Sequence, residues 1–282
     1  MEDWFTQYKI PVGAWGKQFF DLLTTQLAWF FDGLSKGIES VLAAIIAVLA
    51  WPPPLVVILL IAALAHALQR SWAITVGVAI GLLYIVNQGL WKETIETLAL
   101  VIGAAAVSMG IGVPLGIAAA HREWLYKAMR PVLDLMQTLP TFVYLIPALV
   151  LFGLGLAPGL ICTVIFAVPA PIRLTHLGIT SVPAQLKEAG EAFGATKRQL
   201  LWKVELPAAL PTIMAGLTQC IMLCLSMVVI AALIGANGLG KPVVRALNTV
   251  NIPMGIEAGL AIVVLAIILD RVCRVGEART RK

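Results

Sequence analysis

Residues 94–119 read TIETLALVIGAAAVSMGIGVPLGIAA, and Glu96, near the start, is their only ionisable side chain. A helix rises 1.5 Å per residue, so a run of this length can cross the roughly 30 Å hydrocarbon layer of a bilayer, which takes about 20 mainly apolar residues. Working outward in both directions, comparable stretches recur at about 54 to 69, 72 to 88, 131 to 153, 157 to 174, 207 to 234 and 253 to 271. Composition agrees with seven spanning helices. Of 282 residues 60% are hydrophobic and 12% charged, about half the charged fraction of a soluble domain, and the mean hydropathy is +0.94. The expected fold is an all-α polytopic membrane protein, with lipid as its solvent.

The residues before the first of these stretches read differently. Residues 17–34 place Lys17, Asp21, Thr24, Thr25 and Asp32 on one arc of a helix and Phe19, Phe20, Leu23, Leu27, Phe30, Phe31 and Leu34 on the other, the pattern of an amphipathic interfacial helix. A second apolar run, residues 38–51, has 14 residues and stops at Pro52-Pro53-Pro54, so it is assigned to the interface or a re-entrant position. The organisation expected is an N-terminal amphipathic region (1–53), a transmembrane domain (54–271) and a tail (272–282). Pro147, Pro169 and Pro171 fall inside helices and predict kinks. Gly77/Gly81 and Gly112/Gly116, each four apart, either let helices approach closely or reflect the general abundance of glycine in membrane helices.

Charge sets the orientation. On one side of the alternating path lie Arg70, Arg122, Lys127, Arg130, Arg173, Lys187, Lys197, Arg198, Lys203, Arg271, Arg274, Arg279, Arg281 and Lys282, 14 in all; on the other lie Lys9, Lys17, Lys36, Lys92, Lys241 and Arg245, six in all. The positive-inside rule puts the 14-charge side in the cytoplasm, the C-terminus inside and the N-terminus outside. Should residues 38–51 cross, only the N-terminal segment changes sides. The net charge of +5 therefore reports topology and not a nucleic-acid partner. Met1-Glu2-Asp3 is acidic where a signal peptide would be basic, so the first membrane helix is expected to direct insertion. Cys162, Cys220 and Cys224 sit in apolar stretches and Cys273 near the basic tail; they read as small hydrophobes and not as a disulfide framework or metal set. No catalytic constellation of Ser, His and Asp or of paired carboxylates appears, which argues against an enzyme.

One cytoplasmic connection, residues 177–206, is far longer than the others, and long polar loops in compact membrane domains usually carry a function. Pro183 opens a helix through Leu186, Ala189, Glu191, Ala192 and Phe193; Gly194 breaks it, and a second amphipathic piece with Leu200, Leu201 and Trp202 runs to Leu206-Pro207. Ala189 and Gly190 leave a helix surface open to a partner's groove, and Glu188 supplies a charge.

Glu188-Ala189-Gly190, three residues, Gly194, nine residues and Val204-Glu205-Leu206-Pro207 resembles the EAA loop of ABC-importer permeases: EAA, three residues, G, nine residues, an aliphatic residue, any residue, LP. Gly190 departs from the family's second Ala but stays small. The resemblance implies the type I ABC-importer permease fold, with this loop as a coupling helix seated in a cleft of a separate ATP-binding subunit. It also implies a homodimer of permeases, two such ATPase subunits that bind the ATP and Mg²⁺, and an extracytoplasmic substrate-binding protein in a bacterial inner membrane. The permease itself is expected to bind no cofactor.

A closer resemblance covers most of the chain. Residues 130–147, residues 225–231 and Ile267-Ile268-Leu269-Asp270-Arg271 look like the glycine betaine/proline and choline permease subfamily. A quaternary ammonium is drawn to aromatic faces without needing a carboxylate, so Met136, Gln137, Thr138, Phe142 and Tyr144 are candidates for lining the path, against the competing reading of ordinary helix packing. Gln219, Ser226 and Asn87 read as interhelical hydrogen-bonding groups. Residues 235–242 nearly match a phosphate-binding loop, but Pro242 stands where the Mg²⁺-binding hydroxyl belongs and no strand precedes it. A single-chain secondary transporter would show inverted repeats or broken helices around midplane charges, and neither is evident in the sequence.

Overall fold

The computed structural model describes residues 11–273, which form helices with no strand among them. The opening residues with Lys9, and the tail residues Arg274, Arg279, Arg281 and Lys282, lie outside the described residues. The helices are α1 (Val12–Gln26), α2 (Ala28–Ala50), α3 (Pro54–Gln69), α4 (Trp72–Asn87), α5 (Trp91–Ala120), α6 (Glu123–Thr138), α7 (Thr141–Phe152), α8 (Leu156–Ala167), α9 (Pro169–Thr180), α10 (Ala184–Ala192), α11 (Lys197–Leu200), α12 (Leu206–Ala232), α13 (Gly240–Thr249) and α14 (Ile252–Cys273). A π-helical turn, Leu201–Glu205, joins α11 to α12.

Five helical segments are long and apolar enough to cross a membrane: α2, α5, Leu156–Thr180, Lys197–Ala232 and α14; the bent pair α6 and α7 makes a sixth. The sequence count of seven included α3 and α4, whose 16 residues extend about 24 Å and fall short of an untilted crossing. It omitted α2. Asp32 and Lys36 hide the start of that helix in the sequence, yet the backbone runs unbroken for 23 residues, and the boundary with α1 falls at Leu27, inside the run read as one amphipathic helix.

The expected span of 131–153 is broken. Leu139 is extended (φ −63°, ψ 133°), as a residue before proline prefers, and α6 and α7 meet at 96°. The sequence reading weighed Pro147, which α7 accommodates in its interior, and passed over Pro140, which makes the bend.

α5 is the axis of the bundle. α9 packs along it, α12 along α9, and α8, α2 and α14 enclose the group. The α5/α9 contact depends on hydrogen in place of a side chain: a Cβ at Gly112 would stand 2.7 Å from Pro171 Cγ, and one at Gly116 only 2.7 Å from the Ile172 carbonyl oxygen. α9 meets α12 the same way, through Gly178 against Ala209 and Thr212 and Gly216 against Leu174. The other glycine pair divides. Gly81 faces Val264 of α14 at 2.7 Å, whereas Gly77 has open space beside it. Cys220 and Cys224 are fully buried among Leu100, Val101 and Ala104 of α5, as small hydrophobes.

The glycines of residues 235–242 are also structural. Leu239 N–H donates to Thr97 Oγ1 at 2.8 Å, and a Cβ at Gly240 would meet the Val228 carbonyl oxygen. The loop thus seals α12 and α13 onto α5.

Gly116→Val is expected to cost about 1–3 kcal/mol, since backbone, and not a movable side-chain tip, stands in the way; a clear fall in thermal unfolding temperature in detergent checks it, with Gly77→Val unaffected.

Candidate coupling site

The 177–206 connection folds as a surface helix and a return. Gly194 adopts φ +76°, its N–H donates to Glu191 O at 2.8 Å, and the Ala195 N–H donates to Gly190 O at 3.0 Å. These two bonds close a Schellman motif, which requires the left-handed conformation that glycine adopts without strain. The chain restarts at Thr196, whose backbone N–H donates to Gln199 Oε1 (2.8 Å) while Thr196 Oγ1 accepts from Gln199 N–H (3.3 Å), a capping box. The second piece differs from the separate helix expected. It has four residues, passes into the π turn and continues into α12, so that Lys197–Ala232 is one 36-residue segment. Pro207, in the first turn of α12, has no N–H to give, and the wider turn just before it accommodates the missing bond.

α10 has no buried residue: Glu188 and Ala189 are exposed, Leu186 is half-exposed, and Phe193 at its end is 92% exposed. Gly190 is an exception to the outward-facing reading. A Cβ there would lie 2.8 Å from Leu200 Cδ1, so its smallness serves the contact of α10 with the returning chain. Leu206 packs with Ile179, Val182, Ala209 and Ile213 under the loop, and Pro207 is exposed.

Beneath α10 lies a cluster that sequence reasoning missed. Glu205 is 3% exposed; its Oε2 is 2.8 Å from His121 Nε2 and its Oε1 is 3.2 Å from Lys187 Nζ. The available signal was a carboxylate in the variable position before Leu206-Pro207, at the mouth of a long apolar helix.

Of the five path candidates, the α6/α7 bend brings Tyr144 onto Met136. Met136 packs with Leu133, Val168 and Ile172. The Tyr144 phenol donates to the Met136 carbonyl across the α6/α7 bend. Thr138 is exposed, Phe142 is 60% exposed and Gln137 is half-buried. Gln219 instead lines, with Thr218, Met222, Asp270 and Arg271, a groove of about 700 Å³ between α12 and α14. α6 is fastened to α9 by Arg173 Nη2, which donates to Asp134 Oδ1 at 2.6 Å, and by Tyr126 stacked on His176 at 3.6 Å.

Residues 112–282 match the family of the binding-protein-dependent transport system inner membrane component. The chain belongs to that family. As a permease it is 46% identical over 268 residues, covering 94% of this chain and 93% of the relative, to the glycine betaine transport system permease protein OpuAB of Bacillus subtilis (strain 168). It is 43% identical over 271 residues, covering 95% and 76%, to the glycine betaine/proline betaine transport system permease protein ProW of Escherichia coli (strain K12). Its fold is that of the MetNI methionine ABC transporter in an inward-facing conformation, with TM-score 0.58 and 24% identity over 64% of this chain and 92% of that one. The permease is thus a multi-pass inner-membrane protein with the type I ABC-importer fold, and its family works with ATPase and binding-protein partners.

The broken helix α6/α7, a feature shared with secondary transporters, here belongs to a binding-protein-dependent permease. Its bend is held by the Tyr144 phenol. Tyr144→Phe is expected to lower stability by about 0.5–1.5 kcal/mol, read as thermal unfolding in detergent, and to leave the apparent KM for uptake where it was. A shifted KM with unaltered unfolding would place the phenol on the transport path instead.

Proposed function

We propose that this permease is the membrane-spanning subunit of an ATP-driven importer of a quaternary-amine osmolyte, glycine betaine or choline first among them, with carnitine and proline as further members of the class. The observation that carries the proposal is α10, a short helix with its face unburied and Phe193 standing free, ending in the Gly194 cap, after which the chain restarts at Lys197 and runs as one segment into α12. Such a surface suits insertion into a groove of a partner protein. The relatives' names supply the substrate class.

In this reading two copies of the permease pair with two cytoplasmic ATPase subunits and receive the solute from an extracytoplasmic binding protein. ATP and Mg²⁺ bind to the ATPase subunits; this chain binds no cofactor and catalyses no reaction. Glu188, Ala189 and Gly194 shape the coupling helix, Gly190 seats it on Leu200, and Leu206 and Pro207 join the return to α12. Closure of the ATPase pair moves the helices between inward- and outward-facing states as rigid bodies. Of the path candidates, Gln137, Thr138 and Phe142 keep accessible side chains for a quaternary ammonium, while Met136 and Tyr144 shape the wall behind them.

The charge asymmetry puts residues 177–206 and the C-terminus in the cytoplasm and the N-terminus outside. The N-terminal placement goes with α2 lying against α5 and α8 without adding a crossing; with α2 as a crossing helix, which its length permits, only the N-terminal segment changes sides. A cysteine at Lys17 should accordingly react with an impermeant thiol reagent in intact spheroplasts, and one at Lys197 only after permeabilisation; labelling of the Lys197 position from outside would overturn the orientation.

Glu188→Lys and Gly194→Trp are expected to insert normally and to lower uptake about tenfold or more per ATP hydrolysed, in the ordinary range of coupling between sites. Radiolabelled glycine betaine uptake set against phosphate release in proteoliposomes checks this; wild-type uptake in both variants would remove α10 as the coupling element.

A further inference from the structure

The coupling motif accepts any residue between its aliphatic position and Leu206-Pro207, yet Glu205, which stands there, is the buried charged side chain among the described residues. The π turn Leu201–Glu205 sets this orientation: Trp202 and Lys203 face outward and Glu205 turns in beneath α10. A carboxylate removed from water has to be met by donors on both oxygens. Both are met, from different helices.

Oε1 accepts from Lys187 Nζ of α10, and Oε2 from His121 Nε2 at the end of α5. Lys187 Nζ also reaches the Ile179 carbonyl at the end of α9 (3.4 Å), and His121 Nδ1 lies 2.9 Å from the Ile117 carbonyl of α5. The end of α5, α10 and the turn entering α12 meet at this carboxylate, and α9 joins them through Lys187. α10 needs such a fastening, because apart from the seat of Gly190 on Leu200 and Val204 it presents nothing buried to the bundle.

We infer that Glu205 is a positioning residue that locks α10 to α5 and α12 through Lys187 and His121, so that displacement of α10 is delivered to both long helices at once. The inference rests on the reading of α10 as the coupling element. A carboxylate that served folding alone would set yield and stability; one that transmits displacement sets how much solute moves per ATP spent.

The test uses the complete transporter, permease with its ATPase subunits and binding protein, in proteoliposomes, with radiolabelled glycine betaine uptake and phosphate release measured on the same preparation. Lys187→Met is expected to lower uptake per ATP about five- to tenfold, and Lys187→Arg, which can still reach Oε1, to recover most of it. His121→Asn weakens the lock from the α5 side and should shift the ratio in the same direction. A wild-type ratio in assembled Lys187→Met and His121→Asn complexes overturns the inference. So does poor assembly of both variants when the complex that is recovered keeps the wild-type ratio, because the cluster then serves folding only. Glu188→Lys separates the two levels: uncoupling by it but not by Lys187→Met leaves the coupling helix standing and removes the lock, while no uncoupling by any of them removes both.

Discussion

Helices in a bilayer gain little by burying apolar surface against one another, because acyl chains are as apolar as leucine; they associate where backbones come close enough for dense contact and for polar groups to find partners. In this permease that constraint falls on α9. Gly112 and Gly116 of α5 press on one side of it, Gly216 of α12 on the other, and its own Gly178 meets α12 at Ala209 and Thr212. α9 leads directly into the coupling connection, so a closely packed helix of the bundle is also the one that anchors the element on its surface. A rigid anchor is what a mechanical linkage requires, since interfaces packed this tightly change by discrete repacking and not by gradual deformation.

The coupling element joins two kinds of local order. The Gly194 cap and the Thr196 capping box are specified by neighbouring residues and are legible in sequence. The burial of Glu205 is not, because its partners come from residue 121, on another helix, and residue 187, across the return. The π turn that rotates it inward has no residue pattern of its own beyond the proline that follows.

Other parts of the structure divide along the same line. Long apolar runs with few charges placed α5, α12 and α14 to within a few residues, because a long helix in lipid has no alternative way to satisfy its backbone. α2 was obscured by Asp32, Lys36 and Glu39, which a helix of 23 residues tolerates where a 14-residue window does not. The bend at Leu139-Pro140 was legible in principle, since proline restricts the residue before it, but the lack of any charge between Asp134 and Arg173 favoured a single span. The i,i+4 glycines posed a choice that only tertiary contact resolved: Gly112, Gly116 and Gly81 are interfaces, and Gly77 is not. The path candidates rest on residue type, and their arrangement, with Tyr144 folded back onto Met136, reflects a bend that residue type does not encode.

That bend also bears on how the chain lives in lipid. At 12 residues α7 is about 18 Å long, less than the thickness of the hydrocarbon slab, so it cannot cross alone, and the last carbonyls of α6 at the junction have no further helical turn to supply them with donors. The Tyr144 hydroxyl supplies one to Met136. A discontinuous helix thereby meets its own backbone at the break, at the expense of one aromatic side chain whose polar tip is committed there.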